Sequence, residues 1–192
     1  MSTLSEEYRK VLQQTHEAKK KATKGRGWGT TSSGPFYKTI LKLIDRHKVT
    51  ELLDYGAGAG NLKKSLAKDR PDVVVHEFEP ARPEVCARPE PCAFVVCNDV
   101  FEHVEPDYLD RFFDDLQRVI LDRAYFTVCM TPAQNVLSDG RNAHLIQKPF
   151  EWWTREVSYR FCIREAIHLD RRLPQGQFLV QKQHPLPPYH LN

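Results

Sequence analysis

The chain has 192 residues, of which 41% are hydrophobic and 28% charged, and its formal net charge at pH 7 is +3. This length and composition fit one compact domain and exclude a collagen-like or disordered chain, and the apolar runs are too short to cross a bilayer. The five cysteines have no Cys-x-x-Cys spacing, which argues against a disulfide framework or a zinc knuckle. Without a basic, apolar leader, we expect a cytoplasmic protein that does not associate with membranes.

Residues 1–34 are predicted to form a helix and a flexible connection ahead of a main domain at 35–192. Residues 5–18 place Tyr8 and Leu12 on one helical face, with Ser5 as the N-cap. A basic run follows, made of Lys19, Lys20, Lys21, Lys24 and Arg26. This run is either a solvated helix end that favours the helix dipole or a contact for a phosphate backbone.

From Pro35 onward, predicted helices and strands alternate. Helices are predicted from Pro35 and over 61–68, 106–120 and 150–161, and strands over 51–55, 73–78, 93–97 and 125–130. Residues 82–91 are proline-rich and irregular, and 162–169 and 178–183 form an antiparallel hairpin. Unbroken apolar strands between helices predict an α/β fold with a mostly parallel sheet covered on both faces.

A glycine-rich turn links the first predicted strand to its helix. Asp54 precedes the pattern Gly56-x-Gly58-x-Gly60, which lets the backbone approach a ligand closely. Glu79 ends the next strand, where a carboxylate can accept hydrogen bonds from both hydroxyls of a ribose. The spacing differs from the Gly-x-Gly-x-x-Gly of dinucleotide-binding proteins, which disfavours a nicotinamide dehydrogenase.

This pattern resembles motif I of the class I S-adenosylmethionine (AdoMet)-dependent methyltransferases. Three further blocks are similar to the same family: residues 79–81, residues 94–104 with their Glu-His-Val ending, and residues 143–146. The last block is similar to the group that contains the ubiquinone-biosynthesis methyltransferases. The resemblance implies a Rossmann-like seven-strand sheet with an antiparallel C-terminal hairpin, preceded by an N-terminal helical lid that Trp28 and Tyr37 help to close.

The resemblance also implies roles for individual residues. Asp54 and the backbone of Gly56 and Gly58 would hold the methionine moiety of AdoMet, and Glu79 its ribose. Pro80 and the region near Cys86 would flank the adenine. Asn98 and Asp99 would line the methionine side of the pocket.

His144 is the candidate general base, because its ordinary pKa lies near neutrality; the alternative is that it only bonds the loop that closes the pocket. A second hypothesis concerns a divalent metal. Asp99, Glu102 and His103, with the later His144, resemble the Glu-x-x-Glu-His plus distant His set of metal-dependent small-RNA 2′-O-methyltransferases. In relatives without a metal, the same positions cap a loop and pack.

We therefore expect an AdoMet-dependent methyltransferase that acts at oxygen or nitrogen of a small molecule or modified nucleotide. One alternative is an RNA- or DNA-directed enzyme, including a metal-dependent 2′-O type, that uses the basic run. Another is a catalytically silent subunit that binds AdoMet.

Overall fold

A computed structural model describes residues 2–24, 35–169 and 174–183. Its helices are α1 (Glu6–Ala22), α2 (Pro35–His47), α3 (Asn61–Asp69), α4 (Leu109–Val119) and α5 (Phe150–Ser158). Its strands are β1 (Glu51–Tyr55), β2 (Val74–Phe78), β3 (Cys92–Asn98), β4 (Ile120–Cys129), β5 (Phe161–Leu169) and β6 (Gln175–Lys182). Two 3-10 turns, Phe101–His103 and Pro106–Tyr108, connect β3 to α4.

The strands form one mixed sheet in the order β2-β1-β3-β4-β6-β5. The first four strands along the chain pair in parallel, and β6 pairs antiparallel with both β4 and β5. This confirms the predicted α/β fold with its C-terminal hairpin. The strand count is corrected from seven to six over the described residues. The proline-rich residues 82–91 form no strand, since proline cannot donate to a ladder.

Both faces of the sheet are covered, so the central strands are buried on two sides. On one face, Val95 packs in a cluster with Phe113 and Trp153. On the other face, Val96 packs in a cluster with Ile40 of α2 and Leu66 of α3. Adjacent residues of β3 therefore enter different cores, as the strand period of two requires.

Several boundaries differ from the sequence prediction. β4 begins at Ile120, five residues before the predicted start at Tyr125, because pairing with β3 and β6 extends it through charged residues that hide the apolar pattern. The helix predicted over 106–120 opens as a 3-10 turn, and the one predicted over 150–161 ends at Ser158. α1 continues four residues past its predicted end, through the lysines whose charge suits a helix C-terminus.

In the part of the chain that the structure describes, no helix has both the length and the apolar character needed to span a membrane.

Candidate active site

The loop from β1 to α3 bends through glycines at positive φ, with values of +86° at Gly56 and +51° at Gly58. The N–H groups of Gly56 and Ala57 donate to the carbonyl oxygen of Phe78 at 2.8 and 3.0 Å. A Cβ on Gly56 would lie 2.4 Å from a methyl group of Val100. The loop is thus held tightly against the carboxyl ends of the neighbouring strands, where α/β proteins bind ligands.

Glu79, immediately after β2, holds its carboxylate beside this loop. One carboxylate oxygen accepts the N–H of Gly58 at 2.9 Å and the other the N–H of Ala81 at 3.0 Å. Glu79 is only 7% exposed. Each carboxylate oxygen has capacity for a second hydrogen bond, so Glu79 can accept from two adjacent hydroxyl groups.

Asp54, on β1, is buried and does not line the cavity at this edge of the sheet. Burial raises its pKa to about 8, with further contributions from Glu77 and Glu79 and an opposing one from Arg82. Arg82 bridges this region, because its Nη1 donates to the Gly58 carbonyl at 3.2 Å and to Glu77 at 3.1 Å. The Asp54 carboxyl is therefore largely protonated at neutral pH.

A cavity of about 650 Å³ opens between the carboxyl rim of the sheet and α1. Its wall includes most of the predicted site residues: Gly56, Gly58, Glu79, Pro80, Asn98, Asp99, Glu102, His103 and His144. Asp54 and Cys86 do not line it. Apolar side chains supply much of the remaining wall, among them Leu4, Leu12 and Phe112. A largely apolar cavity of this size with a few polar groups is typical of a small-molecule site.

Asn98 and Asp99 extend the polar part of the cavity wall at the end of β3. Both polar atoms of the Asn98 side chain are buried without a hydrogen-bond partner among the described residues. Asp99, at a φ of +51°, is fixed by Thr127, whose hydroxyl donates to its carboxylate at 2.6 Å. A buried amide that lines a cavity and lacks partners is suited to a polar ligand.

Glu102 and His103 lie at the inner end of the cavity, in the 3-10 turn after β3. Glu102 is fully buried; one carboxylate oxygen accepts the Cys129 N–H at 2.8 Å, and the other has no partner among the described residues. Burial raises the pKa of Glu102 well above its usual value. His103 donates from Nδ1 to the Ala143 carbonyl at 2.7 Å, and its burial lowers its pKa to about 4.

His144 is held by the segment that follows β4. Its backbone N–H donates to the Asn142 side chain at 2.9 Å, and its Nδ1 lies 2.5 Å from the Thr131 carbonyl oxygen. Since a carbonyl only accepts, Nδ1 carries the proton of the neutral ring, and Nε2 keeps its lone pair. The ring meets His103 edge-on at a centroid distance of 4.8 Å.

The structure brings together only part of the predicted metal-ligand set. Within the described ranges, Glu102 and His144 share a potential metal-binding group with Cys129, and Asp99 and His103 are not members of it. The sequence did not indicate Cys129 as a ligand, because a cysteine at the end of an apolar strand has the pattern of a small core residue.

α1 forms the roof of the cavity and supplies residues that the sequence analysis did not assign to the site. His16 lines the cavity, and burial lowers its pKa while nearby Glu79 opposes the shift. Lys19 also lines it, and its Nζ donates to Asn135 at 2.5 Å. Tyr37, predicted to help close the lid, instead donates its hydroxyl to Asp69 outside the cavity, and Trp28 lies outside the described residues.

The fold and the glycine-loop site define a class I AdoMet-dependent methyltransferase. A sequence family described as a methyltransferase domain matches residues 5–186, so the chain belongs to that family. Solved methyltransferases that share its fold hold AdoMet or its demethylated product, S-adenosylhomocysteine. Comparison with curated protein sequences finds no match.

Several solved methyltransferase structures share this fold. Magnesium protoporphyrin IX methyltransferase from Synechocystis PCC 6803 is 12% identical over 92% of this chain and 98% of its own, with a TM-score of 0.63. 1,6-Didemethyltoxoflavin-N1-methyltransferase from Burkholderia thailandensis is 14% identical over 93% and 90%, with a TM-score of 0.60. N-methyltransferase NodS from Bradyrhizobium japonicum WM9 is 12% identical over 91% and 100%, with a TM-score of 0.58.

Proposed function

We propose that this methyltransferase transfers a methyl group to oxygen or nitrogen of a small molecule or modified nucleotide. The observation that supports this most directly is the buried Glu79 carboxylate, held by backbone N–H groups at the edge of a mostly apolar 650 Å³ cavity. The cavity size lies within the range of small-molecule sites, about 300–1,000 Å³. Two similar structures are named for small-molecule substrates, a magnesium porphyrin and a didemethyltoxoflavin.

The residues around the cavity suit AdoMet in charge and hydrogen-bonding capacity. Glu79 accepts hydrogen bonds from the ribose hydroxyls, and the unpartnered Asn98 amide bonds the methionine end. The backbone of Gly56 and Gly58 allows close approach, and Pro80 packs near the adenine. When bound, AdoMet supplies an electrophilic methyl group on a sulfonium centre; the protein supplies alignment and excludes water.

His144 is the general base in this proposal. Its Nε2 lone pair accepts the proton that an acceptor hydroxyl or amine loses during attack, while Thr131 holds Nδ1 and orients the ring. His103, whose pKa is lowered to about 4, stays neutral at physiological pH and packs against His144.

Nucleic acid is the second candidate acceptor, supported by the basic run at the end of α1. Lys20, Lys21 and Lys24 are exposed, whereas Lys19 points into the cavity wall and contacts Asn135. Binding through the exposed lysines would weaken steeply with salt. Turnover of a small-molecule acceptor that does not depend on salt concentration would favour the small-molecule function over the nucleic-acid function.

Calorimetry with AdoMet and its demethylated product tests the cofactor site. We expect Glu79→Gln to weaken AdoMet binding about 10- to 150-fold, the equivalent of losing one charge-assisted hydrogen bond. Glu90→Gln is the matched control, because Glu90 is an exposed carboxylate that does not line the cavity. Equal affinities for the two variants would contradict the role of Glu79.

A transfer assay with tritiated AdoMet, run against pools of small molecules and of RNA, identifies the acceptor class. Transfer to the small-molecule pool supports the proposal. Transfer to RNA alone supports the nucleic-acid alternative, and AdoMet binding without transfer to either pool indicates a silent binding subunit.

A further inference from the structure

Three metal-ligating side chains converge at the inner end of the cavity. The Glu102 carboxylate, the Cys129 thiol and a ring nitrogen of His144 each place a donor atom within 4.8 Å of the other two. All three residues line the cavity, and Glu102 and Cys129 are buried. Donors around a tetrahedral zinc ion lie about 3–4 Å apart, close to the 4.8 Å within which these three donors lie.

A buried oxygen without a partner points independently to a missing ligand. Glu102 is 0% exposed, and its second carboxylate oxygen has no hydrogen-bond partner among the described residues. A buried carboxylate oxygen in this state is costly unless it holds a proton or a cation. The cation alternative needs further donors nearby, and Cys129 and His144 provide them.

Neighbouring groups already hold the donors in place, as in many metal sites. The Thr131 carbonyl oxygen lies 2.5 Å from His144 Nδ1, which leaves Nε2 as the nitrogen able to coordinate. The Thr131 hydroxyl lies 3.4 Å from the Cys129 sulfur. The Cys129 N–H fixes one Glu102 oxygen at 2.8 Å and leaves the other available.

We propose that Glu102, Cys129 and His144 bind a zinc ion whose fourth coordination position opens to the cavity. A mixed sulfur, nitrogen and oxygen set of three ligands is typical of zinc sites with an open position, and a thiolate disfavours magnesium. Binding forms a zinc–sulfur bond and releases the thiol proton to solvent.

The open coordination position would let the ion take part in methyl transfer. This part of the inference rests on the proposed methyltransferase function. An acceptor hydroxyl in that position would lose its proton to solvent water more readily. His144 would then act as a ligand, and the ion would take over its task of activating the acceptor. Zinc binding itself is measured without methyl transfer, so failure of one proposal is distinguishable from failure of the other.

The test is zinc binding by the full-length protein, measured by metal analysis after dialysis and by competition with a chromogenic chelator. We expect one zinc per chain, and at least about 100-fold weaker binding in Cys129→Ser and in His144→Gln. Cys162→Ser is the matched control, because Cys162 is a free thiol on β5 outside the cluster. Cobalt substitution adds a second readout, a sulfur-to-cobalt charge-transfer band that Cys129→Ser abolishes.

Two results would overturn the proposal. One is the absence of stoichiometric zinc in the folded wild-type protein. The other is zinc retained with unchanged affinity in Cys129→Ser and His144→Gln. Magnesium binding that survives Cys129→Ser would instead favour the sequence-predicted ligands Asp99 and His103 over Cys129.

Discussion

The hydroxyl of Tyr8 on α1 donates a 2.7 Å hydrogen bond to the backbone carbonyl of His103, beside the inner end of the cavity. Tyr8 is 2% exposed, and burial raises the pKa of its phenol above the usual value, so it remains a donor. Ser5 adds two bonds to Glu105, through its backbone N–H at 2.7 Å and its hydroxyl at 2.8 Å. These contacts hold the roof helix against the segment that carries Glu102 and His103.

Tyr8→Phe tests whether α1 retains the cofactor. We expect the free energy of unfolding to fall by about 0.5–1.5 kcal/mol and AdoMet dissociation to accelerate about 2- to 10-fold, because the ring packing stays and only the hydroxyl bond is lost. Chemical denaturation and stopped-flow measurements check the two effects. Tyr125→Phe is the control, since its 2.8 Å bond to Gln177 is buried away from the cavity. A similar acceleration in both variants would mean that the roof contact has no special role.

Gly56→Ala tests the close packing of the glycine loop. At a φ of +86° and with 2.4 Å between the new Cβ and a Val100 methyl group, the substitution strains the backbone and must displace either the loop or the Val100 side chain. We expect a destabilisation of about 2–4 kcal/mol and loss of AdoMet binding. Gly140→Ala has nearly the same φ, +88°, but no atom within 4 Å, so it should cost only about 1–2 kcal/mol and leave AdoMet binding intact. Equal effects of the two changes would remove the packing argument.

The pH dependence of stability should report the buried carboxyl of Asp54. Its pKa is about 8 in the folded protein, against 3.8 for the ordinary group. Between pH about 4 and 8, the carboxyl is protonated in the folded protein and ionised in the unfolded chain, so unfolding releases a proton. The contribution of the neutral carboxyl to the free energy of unfolding is therefore complete below pH about 4 and is lost as the pH rises through about 8.

Melting temperatures of the wild type and Asp54→Asn from pH 6.5 to 8.5 check this expectation. The wild type should lose stability across the interval more steeply than Asp54→Asn, whose amide does not titrate. Asp45→Asn is the control, because its side chain is exposed, and it should follow the wild type. His103, with a pKa of about 4 against the ordinary 6.5, affects stability only near the lower edge of this window, and it is present in all three proteins, so the difference between them reports Asp54. Parallel curves of melting temperature against pH for all three proteins would contradict the raised pKa of Asp54.

His144→Asn should reduce the rate of methyl transfer about 100- to 10,000-fold if His144 is the base, with little change in AdoMet affinity. His103→Asn should act mainly on stability, because His103 is half-buried and its Nδ1 is bonded to a carbonyl. Single-turnover kinetics across a pH series distinguish a loss of the chemical step in His144→Asn from a loss of stability in His103→Asn. A wild-type pH profile that persists in His144→Asn would exclude His144 as the titrating base.

Much of the fold could be predicted because apolar periodicity is local. The helix beginning at Pro35, the buried strands around Val95 and the hairpin of β5 and β6 all follow from patterns within short windows. The missing edge strand also has a local cause, the prolines of residues 82–91. The start of β4 at Ile120 could not be predicted, because its first residues depend on partners supplied by distant strands.

The cavity wall could be predicted only where a motif is contiguous. Gly56, Gly58 and Glu79 lie at strand ends, where parallel topology brings them to one edge. Asp54 follows the same pattern, yet it is buried and does not line the cavity, which spacing alone does not reveal. His16 reaches the cavity through the docking of α1, and Cys129 meets Glu102 because β3 and β4 are neighbours. Both contacts are long-range in sequence.

The anchoring of Glu79 by two backbone N–H groups has a consequence for ligand capture. The N–H groups of Gly58 and Ala81 already orient this side chain. The Glu79 carboxylate therefore has its binding geometry before a ribose arrives, and it loses little rotational freedom on association. Complex formation should therefore proceed at a speed governed by passage beneath the roof helix, and not by rearrangement of the acid.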